Sequence, residues 1–79
     1  MPDPTTIVTA ELMARLDPRE FKPFAIVLSD GSREEIPTPD HCVVTKILRR
    51  IEVEHDNGTI VLIYPLHIVK LEVLPRNAA

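Results

Sequence analysis

The side chains best suited to chemistry in this chain are its histidines, its single cysteine and two aspartates near them. They are His41, His55, His67, Cys42, Asp40 and Asp56. Imidazole, thiolate and carboxylate groups bind borderline metals such as zinc. The sequence contains no CxxC, HxxxH or HExxH spacing, and His41 and Cys42 point to opposite faces if they share a strand. We therefore predict no metal site and no other cofactor.

Covalent catalysis would depend on Cys42, because a cysteine nucleophile needs a lowered pKa and a nearby base. His41 is its neighbour, but a small buried residue at the start of a strand fits Cys42 better. Gly31 and Gly58 belong to hairpin turns, so no phosphate-binding glycine loop remains. Four glutamates fall on strands expected to face water: Glu34, Glu35, Glu52 and Glu54. We predict that the chain is not an enzyme, and a metal- or thiol-dependent enzyme is the last alternative.

One basic cluster could contact nucleic acid: Lys46, Arg49 and Arg50, with His67 further along the chain. Lysine and arginine on a tip between strands can contact phosphates. However, Glu52 follows closely, no aromatic residue interleaves to stack on bases, and the formal net charge is −3. A solvated turn is the favoured interpretation, and nucleic-acid binding is the alternative function.

Large apolar residues offer a different kind of site. A small barrel cannot bury every large side chain, so Phe21, Phe24, Tyr64 and Leu66 are predicted to form a partner-binding patch. The competing interpretation is that the phenylalanines fill the gap between a helix and the barrel. An open sheet edge could also pair with a second copy, giving a dimer or a ring. We predict an interaction or assembly module whose partner is a protein, itself above all.

The elements that would position these residues follow from periodicity. A helix is predicted after the possible caps Thr5, Thr6 and Thr9, with one apolar stripe, and it ends at Asp17-Pro18. Alternating positions predict five or six antiparallel strands, within residues 24–29, 32–37, 42–45, 50–55, 60–64 and 69–74. Asp30-Gly31 predicts a type I′ hairpin turn, and residues 56–58 predict a second hairpin.

The segment 59–74 is predicted to be the centre of the core, because it is the most apolar stretch. Pro65 divides it into a strand buried on both faces and a half-exposed strand. Leu62 and Leu71 are expected inside the core. The fold class is therefore mainly β, with a minor α part: a short N-terminal helix and a strongly bent sheet closing as a small barrel.

The chain is predicted to be one domain, residues 1–79, with flexible ends at 1–5 and 76–79. No signal peptide is expected, and the longest apolar run is too short to span a bilayer. The single cysteine rules out an internal disulfide, which favours a cytoplasmic location.

Two resemblances rest on motifs. The chain resembles a group of short uncharacterised bacterial proteins in three segments: FKPFAIVLSDG (residues 21–31), PTPD (37–40) and PLHIVKLE (65–72). This resemblance implies no function. The helix, the bent strands and the Asp30-Gly31 turn resemble the Sm-like fold, including the bacterial Sm-like RNA chaperone. That family carries Tyr-Lys-His between its last strands, where this chain has Tyr64-Pro65-Leu66-His67 and no lysine. The resemblance therefore implies an Sm-like or SH3-like barrel more than RNA binding.

Overall fold

A computed structural model of the chain describes residues 4–45, 47 and 50–75. This part of the chain is a small α+β structure, mostly β. Its elements are α1 (Pro4–Arg15), β1 (Phe24–Leu28), β2 (Arg33–Ile36), β3 (Cys42–Val44), β4 (Ile51–Glu54), β5 (Ile60–Ile63) and β6 (Ile68–Val73). Two 3₁₀ turns, Pro39–His41 and Pro65–His67, precede β3 and β6. The expected flexible ends at 1–3 and 76–79 lie outside the described residues, whereas Pro4 and Thr5 begin α1.

The described residues contain no helix that is long and apolar enough to cross a membrane.

The strands pair into two antiparallel sheets, with orders β2-β1-β6 and β3-β4-β5. The predicted helix and strands are confirmed, but no closed barrel is found among the described residues. The sequence between β2 and β3 gives a physical reason. Pro37 and Pro39 lack the N–H that a ladder needs, and the chain makes a 3₁₀ turn after Thr38. The strands on either side of this segment consequently belong to different sheets.

Both hairpins use a three-residue loop with a glycine at its end. The Gly31 N–H donates to the Leu28 carbonyl at 2.9 Å, and the Leu28 N–H donates to the Ser32 carbonyl at 2.9 Å. Gly31 has a φ of 88°, which suits a glycine following a tight turn. The prediction of a type I′ turn centred on Asp30-Gly31 is therefore wrong, although its position is right. Residues 55–59 repeat the same pattern between β4 and β5.

The core lies between the helix and both sheets. Its fully buried large side chains are Leu12, Phe24, Ile26, Ile36, Ile51 and Val53. They come mostly from β1 and β4, the middle strands of the two sheets, because a middle strand is covered by neighbours on both sides. The prediction that segment 59–74 forms the centre is wrong: Ile63 and Pro65 are its buried residues.

Strand β5 lies at a sheet edge and buries only one face. Ile63 points inward and Val61 is half-buried, whereas Ile60 and Leu62 face outward. The expectation that this strand is buried on both faces, with Leu62 in the core, is therefore wrong. Leu71 of β6 is half-buried and packs against the core opposite Ile26, as an inward position should.

Strand β6 changes its register beside β1. Val27 pairs with Lys70 and Leu28 pairs with Ile68, so Val69 is an extra residue that has no paired residue on β1. A bulge of this kind shifts the side chains that follow relative to a simple alternation. Val69 is consequently exposed, although simple alternation along the sequence predicts that it shares a face with Leu71.

Helix α1 is anchored by Leu12, which is fully buried against the core. Leu16, just beyond the helix, packs on the same cluster. Met13, in contrast, is exposed. The helix contacts the 3₁₀ turn before β6 and runs beside that strand. A helix of this length is marginal alone, so its stability depends on this packing.

Candidate interaction surface

The four residues predicted to form a partner-binding patch do not lie together. Phe24 is 0% exposed and belongs to the core, so its assignment to the surface is corrected. Phe21 is half-buried, and its ring packs at a tilt of 59° on that of Phe24, with ring centroids 6.0 Å apart. The phenylalanines thus pack in and against the core, as the competing interpretation from the sequence expected, although no closed barrel is found among the described residues.

Tyr64 and Leu66 are exposed, at the other end of β1. The Ser29 N–H donates to the His67 carbonyl at 2.8 Å, which places the Pro65–His67 turn beside the end of β1. Phe24 begins β1, and four residue steps of a strand span about 13 Å. A patch that combines Phe21 with Tyr64 is therefore not formed. Pro65 between the two exposed residues is buried and fixes this turn on the structure.

A different apolar surface lies on the outer side of β5. Ile60, Leu62 and Tyr64 alternate along the chain and are 57%, 47% and 52% exposed. We call these three residues the β5 face. Val43 on β3 is also exposed. It is opposite Glu52, which in turn is opposite Leu62, so Val43 shares this side of the sheet.

A signal for the β5 face was present in the sequence. Glu52 and Glu54 alternate with buried residues on β4, so their side chains must face water. The short hairpin fixes the register, and residues directly opposite each other share a face. Leu62 lies opposite Glu52, and Ile60 lies opposite Glu54. The charged partner strand therefore identifies which side of β5 is exposed.

The backbone of β5 is open on one side. The His55 N–H donates to the Thr59 carbonyl at 2.8 Å, so these two residues form a hydrogen-bonded pair. Hydrogen-bonded and non-hydrogen-bonded pairs alternate along an antiparallel hairpin, which fixes the type of every other pair. Val61 and Ile63 direct their N–H and C=O groups to β4, whereas those of Ile60 and Leu62 point to the free edge. Within the described residues β5 pairs with β4 alone.

This edge differs in charge from the edges of the other sheet. Strand β5 is Ile-Val-Leu-Ile, with no charged residue. By contrast, β2 is Arg-Glu-Glu-Ile, and β6 contains Lys70 and Glu72. Charged side chains on an edge strand discourage pairing with another chain. Strand β6 is also flanked by α1, and its residues 68–71 line an open groove of about 210 Å³ with that helix.

Two of the three histidines considered as possible metal ligands, His41 and His55, form pairs with carboxylates. His41 Nε2 lies 2.8 Å from Asp56 Oδ1, and its Nδ1 lies 2.7 Å from Thr38 Oγ1. His55 Nε2 lies 3.1 Å from Glu34 Oε2. Because β2 carries Glu34 and His55 follows β4, the second pair joins the two sheets. Sequence reasoning missed both pairs, since their members lie 15 and 21 residues apart.

These pairs border an open cleft of about 620 Å³. Among the described residues, no group of three or more His, Cys, Asp and Glu could hold a metal ion. In the same part of the chain, no buried side-chain nitrogen or oxygen lacks a hydrogen-bond partner. The pair between His55 and Glu34 therefore joins the two sheets at the border of this cleft.

Cys42 is buried, and this burial raises the pKa of its thiol to about 12. At neutral pH the side chain is therefore a thiol, whereas a cysteine nucleophile acts as the thiolate. His41, its neighbour in sequence, is occupied with Thr38 and Asp56. The geometry thus gives Cys42 the packing role that its position at the start of β3 predicts.

Two of the predicted nucleic-acid-binding residues, Lys46 and Arg49, lie outside the described residues. Arg50 donates from Nε and Nη2 to Glu52 Oε2, at 3.3 and 3.2 Å. His67 is exposed in the turn before β6. The charge of Arg50 is therefore directed at a carboxylate.

The class of protein that this geometry defines is a small, mostly β protein of two three-stranded sheets and one helix within the described residues. Comparison of the chain with protein-family models, with curated proteins and with solved structures finds no match.

Proposed function

We propose that the chain is a non-enzymatic assembly module that binds a second copy of itself through the free edge of β5 and the adjoining β5 face. One observation carries the proposal: β5 is an edge strand of four uncharged residues with two of its apolar side chains exposed. An exposed apolar edge is a site for strand addition unless something covers it. A second copy provides an edge of the same length and chemistry.

The described contacts favour this use of the molecule over catalysis. The thiol of Cys42 is protonated and buried, and the cleft histidines are paired with carboxylates. The β5 face, in contrast, exposes apolar side chains to water, and their burial would be favourable. Burying the remaining exposed part of a half-exposed Ile or Leu contributes about 1 kcal/mol, from about 1.5–3 kcal/mol for the whole side chain.

We further infer that the two sheets are the halves of one bent, Sm-like or SH3-like barrel that stays open at the edge of β5 and acts in the cytoplasm. The sheet orders β6-β1-β2 and β3-β4-β5 support this, since a bend at residues 37–41 would join them in sequence order. The pair between His55 and Glu34 supports it as well, because it links β2 to the end of β4.

Nucleic-acid binding stays a prediction, and an Sm-like fold alone would not establish it. It would use Lys46, Arg49, Arg50 and His67, and the pairing of Arg50 with Glu52 weakens that set. Retention on an RNA or DNA column that disappears with added salt would support this alternative over self-assembly.

The experiment compares two apolar residues of equal exposure. Ile60 on β5 is 57% exposed and Met13 on α1 is 58% exposed. We expect the native chain to self-associate across a dilution series in analytical ultracentrifugation. Ile60→Lys should weaken this association by about tenfold or more, the effect of ~1.4 kcal/mol, because a charge enters the pairing edge. Met13→Lys should leave the association unchanged. A native chain that sediments as a monomer at high concentration, or equal effects of both variants, would refute the proposal.

A further inference from the structure

We propose, on the basis of the function above, that two copies pair β5 with β5 in antiparallel orientation about a twofold axis at Val61. In this register Ile60 lies opposite the partner's Leu62, and Leu62 lies opposite the partner's Ile60. The result is a continuous six-stranded sheet across the dimer. A twofold contact of this kind is closed, so it gives a dimer and leaves no further copy of this edge free.

The free backbone groups select this register. Ile60 and Leu62 are the residues of β5 whose N–H and C=O groups point away from β4. An axis at Val61 pairs these two residues with each other and uses all of those groups. An axis at Leu62 would place Tyr64 opposite Ile60, but the Tyr64 carbonyl already accepts the His67 N–H at 2.9 Å. Pro65 then turns the chain away from the strand direction.

The charges nearest this edge are compatible with the register. Across the dimer the outer row reads Glu52, Leu62, the partner's Ile60 and the partner's Glu54. The two glutamates are separated by three strand spacings, or about 14 Å. That distance exceeds the screening length of roughly 8 Å at physiological salt. Glu52 is also paired with Arg50. Leu62 and the partner's Ile60 therefore meet side by side, with no like charges opposed.

The other edges are less suited to a second copy. Self-pairing of β2 would bring Arg33, Glu34 and Glu35 to the contact, where desolvating charges is costly. Pairing of β5 with β6 of the next copy, which would build a ring, would have to accommodate Lys70 and the flanking helix α1. Strand β3 has only three residues, one fewer than β5.

Cysteine cross-linking tests the register. In the proposed dimer Val61 faces the partner's Val61 as a non-hydrogen-bonded pair, with Cα atoms about 4.5 Å apart. A disulfide needs Cα atoms roughly 4.4–6.8 Å apart. We expect Val61→Cys, in a Cys42→Ala background, to form a disulfide-linked dimer under mild oxidation. Thr59→Cys in the same background is the control, because the two Thr59 positions would be offset by four residues, or about 13 Å.

The outcomes separate this inference from the proposed function. A native dimer in which Val61→Cys cross-links no better than Thr59→Cys would refute the register and leave assembly standing. A native monomer would refute both. A second comparison uses Leu62→Lys and Val73→Lys, since these residues are 47% and 48% exposed. We expect only Leu62→Lys to weaken the dimer, by about tenfold or more. Equal weakening by Val73→Lys, on β6, would overturn the β5–β5 pairing in favour of a ring.

Discussion

Adjacent residues on β5 provide a sharp test of the fold, because they point in opposite directions. Ile63 is 3% exposed and packs in the core, whereas Leu62 is about half exposed on the β5 face. We expect Ile63→Ala to destabilise the chain severely and Leu62→Ala to have a small effect. The two substitutions remove similar amounts of side chain from the same strand, so each serves as the control for the other.

The magnitudes follow from burial. Truncating a buried Ile to Ala removes its transfer free energy and leaves a cavity, which costs about 2–5 kcal/mol. Whole burial of a Leu contributes about 1.5–3 kcal/mol, and Leu62 realises only about half of that in the monomer. Its truncation should therefore cost about 1 kcal/mol or less. Domains are stable by only about 5–15 kcal/mol, so the first change is a large fraction of the total.

The assay is equilibrium urea unfolding, followed by circular dichroism at a protein concentration low enough to keep the chain monomeric. With a urea dependence of about 1–1.5 kcal/mol per M for a chain of this size, Ile63→Ala should lower the midpoint by roughly 2 M. Leu62→Ala should lower it by well under 1 M. If the two midpoints shift equally, or if the midpoint of Leu62→Ala shifts further, Leu62 does not point outward as described. The β5 face then does not exist.

Three further predictions concern single residues. Cys42 should resist alkylation at pH 8 in the folded chain and react readily in urea, as measured by mass spectrometry. Its raised pKa also stabilises the fold below pH 9, and this contribution is lost as the pH rises towards 12, so Cys42→Ala should flatten that decline. Gly31→Ala should cost about 1–2 kcal/mol in urea unfolding, because φ is 88° although the site has room for a Cβ; an unchanged midpoint would contradict the turn geometry. Lys70, with a smaller effect from Arg33, lowers the pKa of Glu72 from 4.5, so this stabilisation is present above pH 4.5 and is lost below it; Glu72→Gln should reduce the acid dependence of the urea midpoint.

Local signals in the sequence predicted the elements well. Asp17-Pro18 marks the end of the helix, and Gly31 and Gly58 mark both hairpins, because backbone restrictions act within a few residues. The turn type was wrong because Gly31 occupies the position after the turn rather than its centre. Asp-Gly is compatible with both arrangements, so the dipeptide alone does not determine the loop.

The placement of strands relative to each other was predicted poorly. Segment 59–74 has the densest apolar content, but density does not reveal whether a strand lies in the middle or at the edge of a sheet. The bulge at Val69 depends on how β6 meets β1, and the bridge from His55 to Glu34 depends on how the sheets meet. These features arise from contacts between distant parts of the chain, which periodicity within one strand cannot report.

The difference between inward and outward positions on β5 also bears on the proposal that the β5 face binds a partner. Folding of the monomer requires apolar residues at Ile63 and, in part, at Val61, but it does not require them at Ile60 or Leu62. A lysine or threonine at either outward position would preserve the pairing with β4 and would also protect the edge. The chain does place charges on β2, on β4 and on β6. Apolar side chains on the outward positions of an uncharged edge therefore contribute little within one copy, and this supports the proposal that they contact a second strand.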